Sequence, residues 1–148
     1  MRTYAAIDVA NYIVAKCIHH KHPINNLQLQ SILYYIQLAT IEAGYLAFHD
    51  DIEAWNFGPV VRKVYNAYCG YGAMPIQAQI HGTVIEPEEA EIWNPIIERK
   101  SQLSPFAMDE DVRKKVGPWD TTWDDGRGDH KIIEVSLLQK AVGFARPW

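Results

Sequence analysis

The strongest constraint in the sequence is a helix start. Asn25 suits the N-cap position, because its side chain accepts a bond from an orphaned backbone N–H of the first turn. Gln28, three residues on, is placed to reach back to the Asn25 N–H and complete a capping box, and Ile24 and Leu29 occupy the flanking positions of a hydrophobic staple. Leu29, Ile32, Leu33, Ile36, Ala39, Thr40 and Ala43 then recur at helical spacing as one inward stripe, with Gly44 as the closing C′ residue. The core of the chain must be built around that stripe.

The rest of the chain is organised around this helix. Ile7, Ala10, Ile13, Val14, Cys17 and Ile18 predict a preceding amphipathic helix near residues 4–20, ended by His19-His20-Lys21-His22-Pro23. After Gly44, Ala47-Phe48, the polar turn His49-Asp50-Asp51 and Ile52 to Asn56 read as a small hairpin or extended ribbon. Gly58-Pro59 then reads as a helix start, with proline at the first helical position and Val60, Val61, Val64, Tyr65 and Tyr68 on the apolar face. Gly70-Tyr71-Gly72 is a turn.

The second half is less regular. Ile80 to Ile85 reads as a short strand, and Pro87-Glu88-Glu89 opens a helix that Pro95 breaks or restarts. Only a short helix near 109–116 is expected between Ser101 and Val116, and 117–129 reads as a loop rich in Gly, Asp and Trp. Lys131 to Val135 suits a strand, and Ser136 with Gln139 suits a second capping box. The expected fold is mainly α with a minor β-hairpin or ribbon, one compact helical domain over residues 1–148.

Composition narrows the function classes. At 148 residues, with 48% apolar and 22% charged residues, the chain has an ordinary globular balance. A net charge of -4 does not favour nucleic acid, which needs a basic face. No run approaches the roughly 18 apolar residues of a membrane span, and the N-terminus does not resemble a signal peptide. The expectation is a cytoplasmic protein. Cys17 and Cys69 match no metal-ligand spacing and read as buried free thiols of a reducing compartment.

Candidate chemistry is sparse. His19, His20 and His22 sit consecutively at a helix end, where side chains diverge, and a zinc site needs convergent ligands. The acidic run Asp120, Asp124, Asp125, Asp129 lacks the alternation and terminal glutamate of a calcium loop. No metal and no cofactor are expected. Arg62-Lys63 and Arg113-Lys114-Lys115 read as solvated faces, and Arg127-Gly128-Asp129 as a chance adhesion-like tripeptide. There is no nucleophile elbow, P-loop or dinucleotide turn. Glu53 next to Trp55 is the one enzyme candidate, since a carboxyl against an aromatic can have a raised pKa; a surface hairpin glutamate is the plainer reading. No catalytic residue is assigned.

Five Trp, eight Tyr and four Phe make aromatics the distinctive component. Trp119, Trp123 and Trp148 fall in or near expected loops, and aromatics left over by a core are favoured interface anchors.

The run Pro23-Ile24-Asn25-Asn26-Leu27-Gln28-Leu29-Gln30-Ser31-Ile32-Leu33-Tyr34-Tyr35 resembles the signature helix of the Panacea-domain family, also described as SocA-like and phage-associated. So does Ile52-Glu53-Ala54-Trp55-Asn56-Phe57-Gly58-Pro59-Val60-Val61, followed by Val64-Tyr65 and Tyr71-Gly72. Ser31 stands where the family usually has lysine, Ile32 where it has leucine, and Phe57 where it has tyrosine. The resemblance is strong over about residues 4–76 and loose over 77–148, with 101–129 divergent and the usual Thr-His before Trp119 absent. It implies a bacterial or prophage antitoxin of a toxin–antitoxin pair, binding a co-encoded protein toxin directly. Variants are an adaptor that delivers the toxin to a protease, or an enzyme that reverses the toxin's effect. Asn25, Gln28, Leu29, Gln30, Trp55, Gly58 and Pro59 are the expected fold-defining residues, and Trp55, Phe57, Trp119 and Trp123 the candidate toxin contacts.

Overall fold

The computed structural model describes residues 1–77 and 83–143, and among them the chain is mainly helical with one two-stranded antiparallel sheet. The elements in order are α1 (Ala6–His19), α2 (Asn26–Glu42), β1 (Glu53–Trp55), β2 (Gly58–Val60), α3 (Arg62–Tyr68), α4 (Pro87–Ser101), α5 (Pro105–Val112), α6 (Pro118–Trp123) and α7 (Val135–Gly143). Short 3₁₀ turns follow α3 at Cys69–Tyr71 and α6 at Asp124–Gly126.

Helix α2 is the central pillar. Its start is the expected capping box: Asn25 Oδ1 accepts from the Gln28 N–H at 2.8 Å, and Gln28 Oε1 accepts from the Asn25 N–H at 2.9 Å. Leu29, Ile32, Leu33 and Ile36 are fully buried, and each such side chain contributes about 1.5–3 kcal/mol of apolar burial. The stripe is not the whole story, however. Ala43 is exposed and Ile41 is buried, and the buried set wraps nearly around the helix because α1, α3, α4, α5 and α7 all pack on it.

Burial on so many sides forces polar residues of α2 into the core, and Asn26, Gln30, Gln37 and Thr40 are each matched to a backbone group or another side chain. Gln30 Oε1 accepts from the Val61 N–H at 2.9 Å, and its Nε2 donates to Asn26 Oδ1 at 3.1 Å. Asn26 Nδ2 in turn donates to the Tyr65 carbonyl at 3.1 Å. Gln37 acts as a strand would, donating to the Phe48 carbonyl and accepting from the Ala47 N–H, both at 2.8 Å. Thr40 Oγ1 donates to the Ile36 carbonyl and accepts from the Trp93 indole N–H at 2.9 Å. Buried polar groups stabilise only when satisfied in this way.

The strand pairing departs from the sequence reading. Ala47-Phe48 is not the partner of 52–56; Phe48 bridges Tyr4 instead. Glu53–Trp55 pairs with Gly58–Val60 across the two-residue turn Asn56-Phe57, so Gly58-Pro59 is strand and the following helix begins at Arg62. Pro59 faces Ala54, whose N–H donates to the Lys131 carbonyl and whose carbonyl accepts from the His130 N–H. Both Ala54 groups thus point away from Pro59, and the missing proline N–H leaves nothing unpaired. Gly58 has φ +132°, a conformation closed to other residues at ordinary cost. The 131–133 segment runs beside β1, with Glu53 bridging Ile132, but forms no longer strand, and α7 begins at Val135, which puts Ser136 inside the first turn and removes the expected second capping box.

Three further expectations are corrected. Helix α4 runs through Pro95 without breaking, because Trp93 and Ile97 are fully buried on either side and hold it by packing. Helix α5 starts at Pro105, with Ser104 Oγ accepting from the Ala107 N–H, earlier than the helix read near 109–116. The expected loop at 117–129 contains α6, opened by Gly117-Pro118. Of the strand read at 80–85, residues 80–82 lie outside the described residues, and 83–85 are irregular.

Candidate protein-binding surface

The sheet, the N-terminal half of α2 and helix α5 come together at the turn Asn56-Phe57. The Ile76 N–H donates to the Ile24 carbonyl at 2.8 Å, tying the chain beyond α3 to the start of α2. Trp55 is half-buried and held on several sides: His130 stacks on it at 4.4 Å, Tyr65 lies at 5.1 Å, and the Arg62 guanidinium lies 5.7 Å from the ring centroid. Phe57 is exposed, with Trp55 edge-on at 5.7 Å and Tyr65 stacked at 6.0 Å.

Glu53 anchors that cluster. Its carboxylate accepts from Arg62 Nη2 at 2.8 Å, Arg62 Nε at 3.1 Å and Trp55 Nε1 at 3.0 Å. The Arg62 bonds, helped by Trp55 and opposed by partial burial, hold the Glu53 carboxyl below its ordinary value. The raised pKa that proximity to Trp55 suggested is therefore overturned: the indole donates its N–H to the carboxylate and favours the charged form.

The other tryptophans sit differently from expectation. Trp119 is in α6 and 5% exposed; its indole N–H donates to the Trp55 carbonyl at 2.8 Å, tying α6 to the sheet. Trp123 is half-buried and stacks on Trp119 at 5.5 Å and 13°. Trp119 is thus core, not a loop aromatic, and Trp123 leans on it. Trp148 lies outside the described residues. Among the four candidate contacts, Phe57 presents the most open face.

Two grooves flank Phe57. One, of about 270 Å³, runs between Leu27, Ser31 and Phe57 on one side and Pro105, Phe106 and Met108 of α5 on the other. The second, of about 230 Å³, lies between Leu27, Phe57, Tyr65 and Cys69. They share Asn25, Leu27 and Phe57, so they adjoin as one trough. Phe106 is 76% exposed and Leu27 44%, large apolar surface for side chains with no structural role of their own. The sequence held one clue: Leu27 lies off the inward stripe of α2. Phe106 had none, since its helix was not read. A third hollow of about 320 Å³ lies elsewhere, between Thr3, Tyr45, Leu46, His49 and Val135.

The remaining polar candidates are accounted for locally. Asp120 accepts from the Val116 N–H, Asp124 pairs with Arg127, and Asp129 contacts His130. His19, His20 and His22 are exposed, and among the described residues no group of three or more His, Cys, Asp or Glu is arranged to hold a metal ion. Both cysteines are free, but only Cys17 is buried; Cys69 is exposed at the end of α3 and lines the trough, contrary to the reading of two buried thiols. Burial pushes the Cys17 thiol up to about 12. No described helix is long and apolar enough to cross a membrane.

The chain is similar to antitoxin SocA of Caulobacter vibrioides (strain NA1000 / CB15N), 25% identical over 147 residues that cover 90% of this chain and 78% of that protein. This match bears out the SocA-like resemblance read from the sequence. No family model matches the chain, and no solved structure matches it.

Proposed function

We propose that this protein is a cytoplasmic antitoxin that neutralises a co-encoded protein toxin by binding it directly. The observation that carries the reading is the similarity to antitoxin SocA along most of both chains. The open trough around Phe57 supports a binding mode of action, because exposed aromatic and aliphatic side chains lining a concave surface favour protein partners. Glu53 is engaged by three donors and serves the surface as a structural anion, which weighs against a general base there.

Co-expression with the product of the neighbouring gene tests the reading. Growth should be rescued and the two proteins should co-purify; rescue with no detectable complex counts against direct binding. An adaptor that hands the toxin to a protease would shorten the toxin's half-life, whereas occlusion leaves it unchanged or longer. Glu53→Gln separates the enzymatic alternative: protection persists if binding is the mechanism and disappears if Glu53 performs chemistry.

A further inference from the structure

We propose that the trough spanning Leu27, Phe57 and Phe106 is the seat of the toxin, and that it takes an apolar segment of the toxin flanked by basic residues. The inference rests on the antitoxin reading and adds the location and chemistry of the contact.

Three observations carry it. The first is apolar exposure on three separate elements that converge on one concavity: Leu27 from the first turn of α2, Phe57 from the sheet turn and Phe106 from the first turn of α5. All three side chains are exposed, and Leu27 and Phe57 line both of the adjoining grooves while Phe106 lines the larger of the two. The second is rigidity. Asn25 and Gln28 lock the start of α2, Ser104 caps α5, and Phe57 is braced by Tyr65 and Trp55. A preformed surface of this kind loses little entropy on association.

The third is charge. On α5, Phe106, Asp109 and Glu110 share one face, being three and four residues apart. Asp109 lines the trough and pairs with Arg113 at 3.2 Å, and Arg113 also donates to the Asn56 carbonyl. Arg62, the cation of the sheet cluster, is taken by Glu53. Glu110 is exposed and has no ion-pair partner among the described residues. Arg62 and Arg113 are thus neutralised in place while Glu110, on the same face of α5 as Phe106, carries a carboxylate with no such pairing, so the complementary partner brings lysine or arginine next to its apolar anchor. The chain's net charge of -4 acts in the same direction at longer range.

The test uses the full-length protein and the purified product of the neighbouring gene. Leu27→Glu and Phe106→Glu change exposed side chains, and unchanged thermal melts will verify that the fold is intact. Each should weaken binding by about 30-fold or more, the loss expected for a central anchor. Glu110→Lys should slow association and flatten its dependence on ionic strength. Cys69 supplies an independent readout within the native chain: it is exposed in the trough, whereas Cys17 is buried and its thiol is held protonated, so maleimide labels Cys69 selectively. Complex formation should slow that labelling at least about 10-fold if the trough is covered. Weakened binding by both glutamate variants with protection of Cys69 supports the proposal. Full affinity in either variant, or unprotected Cys69 in a stable complex, overturns it and leaves the antitoxin reading standing. Absence of any complex with the unaltered protein overturns both.

Discussion

Replacing Gln30 by leucine tests whether buried polar pairing on α2 holds the fold together. The two side chains are close in volume, so packing changes little and the effect isolates the hydrogen bonds. Gln30 is 2% exposed, Val61 2% and Asn26 3%, which leaves water no access to the groups the substitution would strand. The Val61 N–H loses its acceptor and Asn26 Oδ1 loses its donor. A buried backbone donor left unpaired costs about 1–3 kcal/mol, and a stranded amide oxygen a further amount of about 1 kcal/mol. The sum is about 3 kcal/mol, which for a domain of this size lowers Tm by about 6–12 °C. Urea unfolding followed by circular dichroism measures the loss directly. Hydrogen exchange locates it, since the Val61 amide should lose protection before the amides of α4. The double variant with Asn26→Leu should cost less than the sum of the two single changes, because each already breaks their shared bond. A loss below about 1 kcal/mol in Gln30→Leu would refute the reasoning.

Other consequences follow from individual contacts. Gly128→Ala would place a Cβ 1.7 Å from the Thr122 carbonyl oxygen, so it should destabilise by about 3 kcal/mol or more, or abolish soluble expression. Val116 is β-branched, 88% exposed and at φ +65°; Val116→Gly should raise stability by about 0.5–1 kcal/mol in the same urea assay. The Cys17 thiol, ordinarily at 9.0, is raised to about 12 by burial, so the folded state keeps its proton where the unfolded chain has lost it. That contribution is complete below pH 9 and disappears as pH rises toward 12. Within that window the slope is up to about 1.4 kcal/mol per pH unit, and Cys17→Ala should flatten it.

How much of this was legible depended on whether the cause was local. The capping box of α2 was readable because Asn25 and Gln28 act on each other across three residues. The inner polar face was not: periodicity counts apolar positions, so nothing in the stripe marks Gln30 and Gln37 as buried before five neighbouring helices enclose them, and Gln30 stood out only through the family resemblance. Proline shows the same limit from the other side. Gly58-Pro59, Ser104-Pro105 and Gly117-Pro118 all carry the same helix-start cue, yet the first is a strand. What decides it is the segment 130–133, which takes the hydrogen bonds of Ala54 and leaves Pro59 a position needing no donor. Trp119 looked available for a partner because 117–129 read as a loop; once α6 forms, its ring is part of the core. Phe57 was legible as a contact candidate, while Leu27 and Phe106 became visible only when α2, the sheet turn and α5 were set side by side.

The sheet turn serves the core and the surface with neighbouring residues, and Gly58→Ala tests whether the two roles are coupled. A Cβ at Gly58 would meet only Val112 Cγ2, at 3.8 Å, so there is space for it. The cost lies in φ +132°, which alanine adopts only at about 1–3 kcal/mol. A domain stable by about 5 kcal/mol or more stays over about 95% folded after that loss. The chain can relieve the strain only by moving the turn, and Phe57 is the adjacent residue. Affinity for the proposed toxin partner should therefore fall by more than the unfolded fraction explains, and the Cys69 labelling rate in the free protein should change as the groove between Phe57 and Tyr65 shifts. Preserved affinity with reduced stability would show that the surface tolerates movement of Phe57, and would place the binding energy on Leu27 and Phe106 instead.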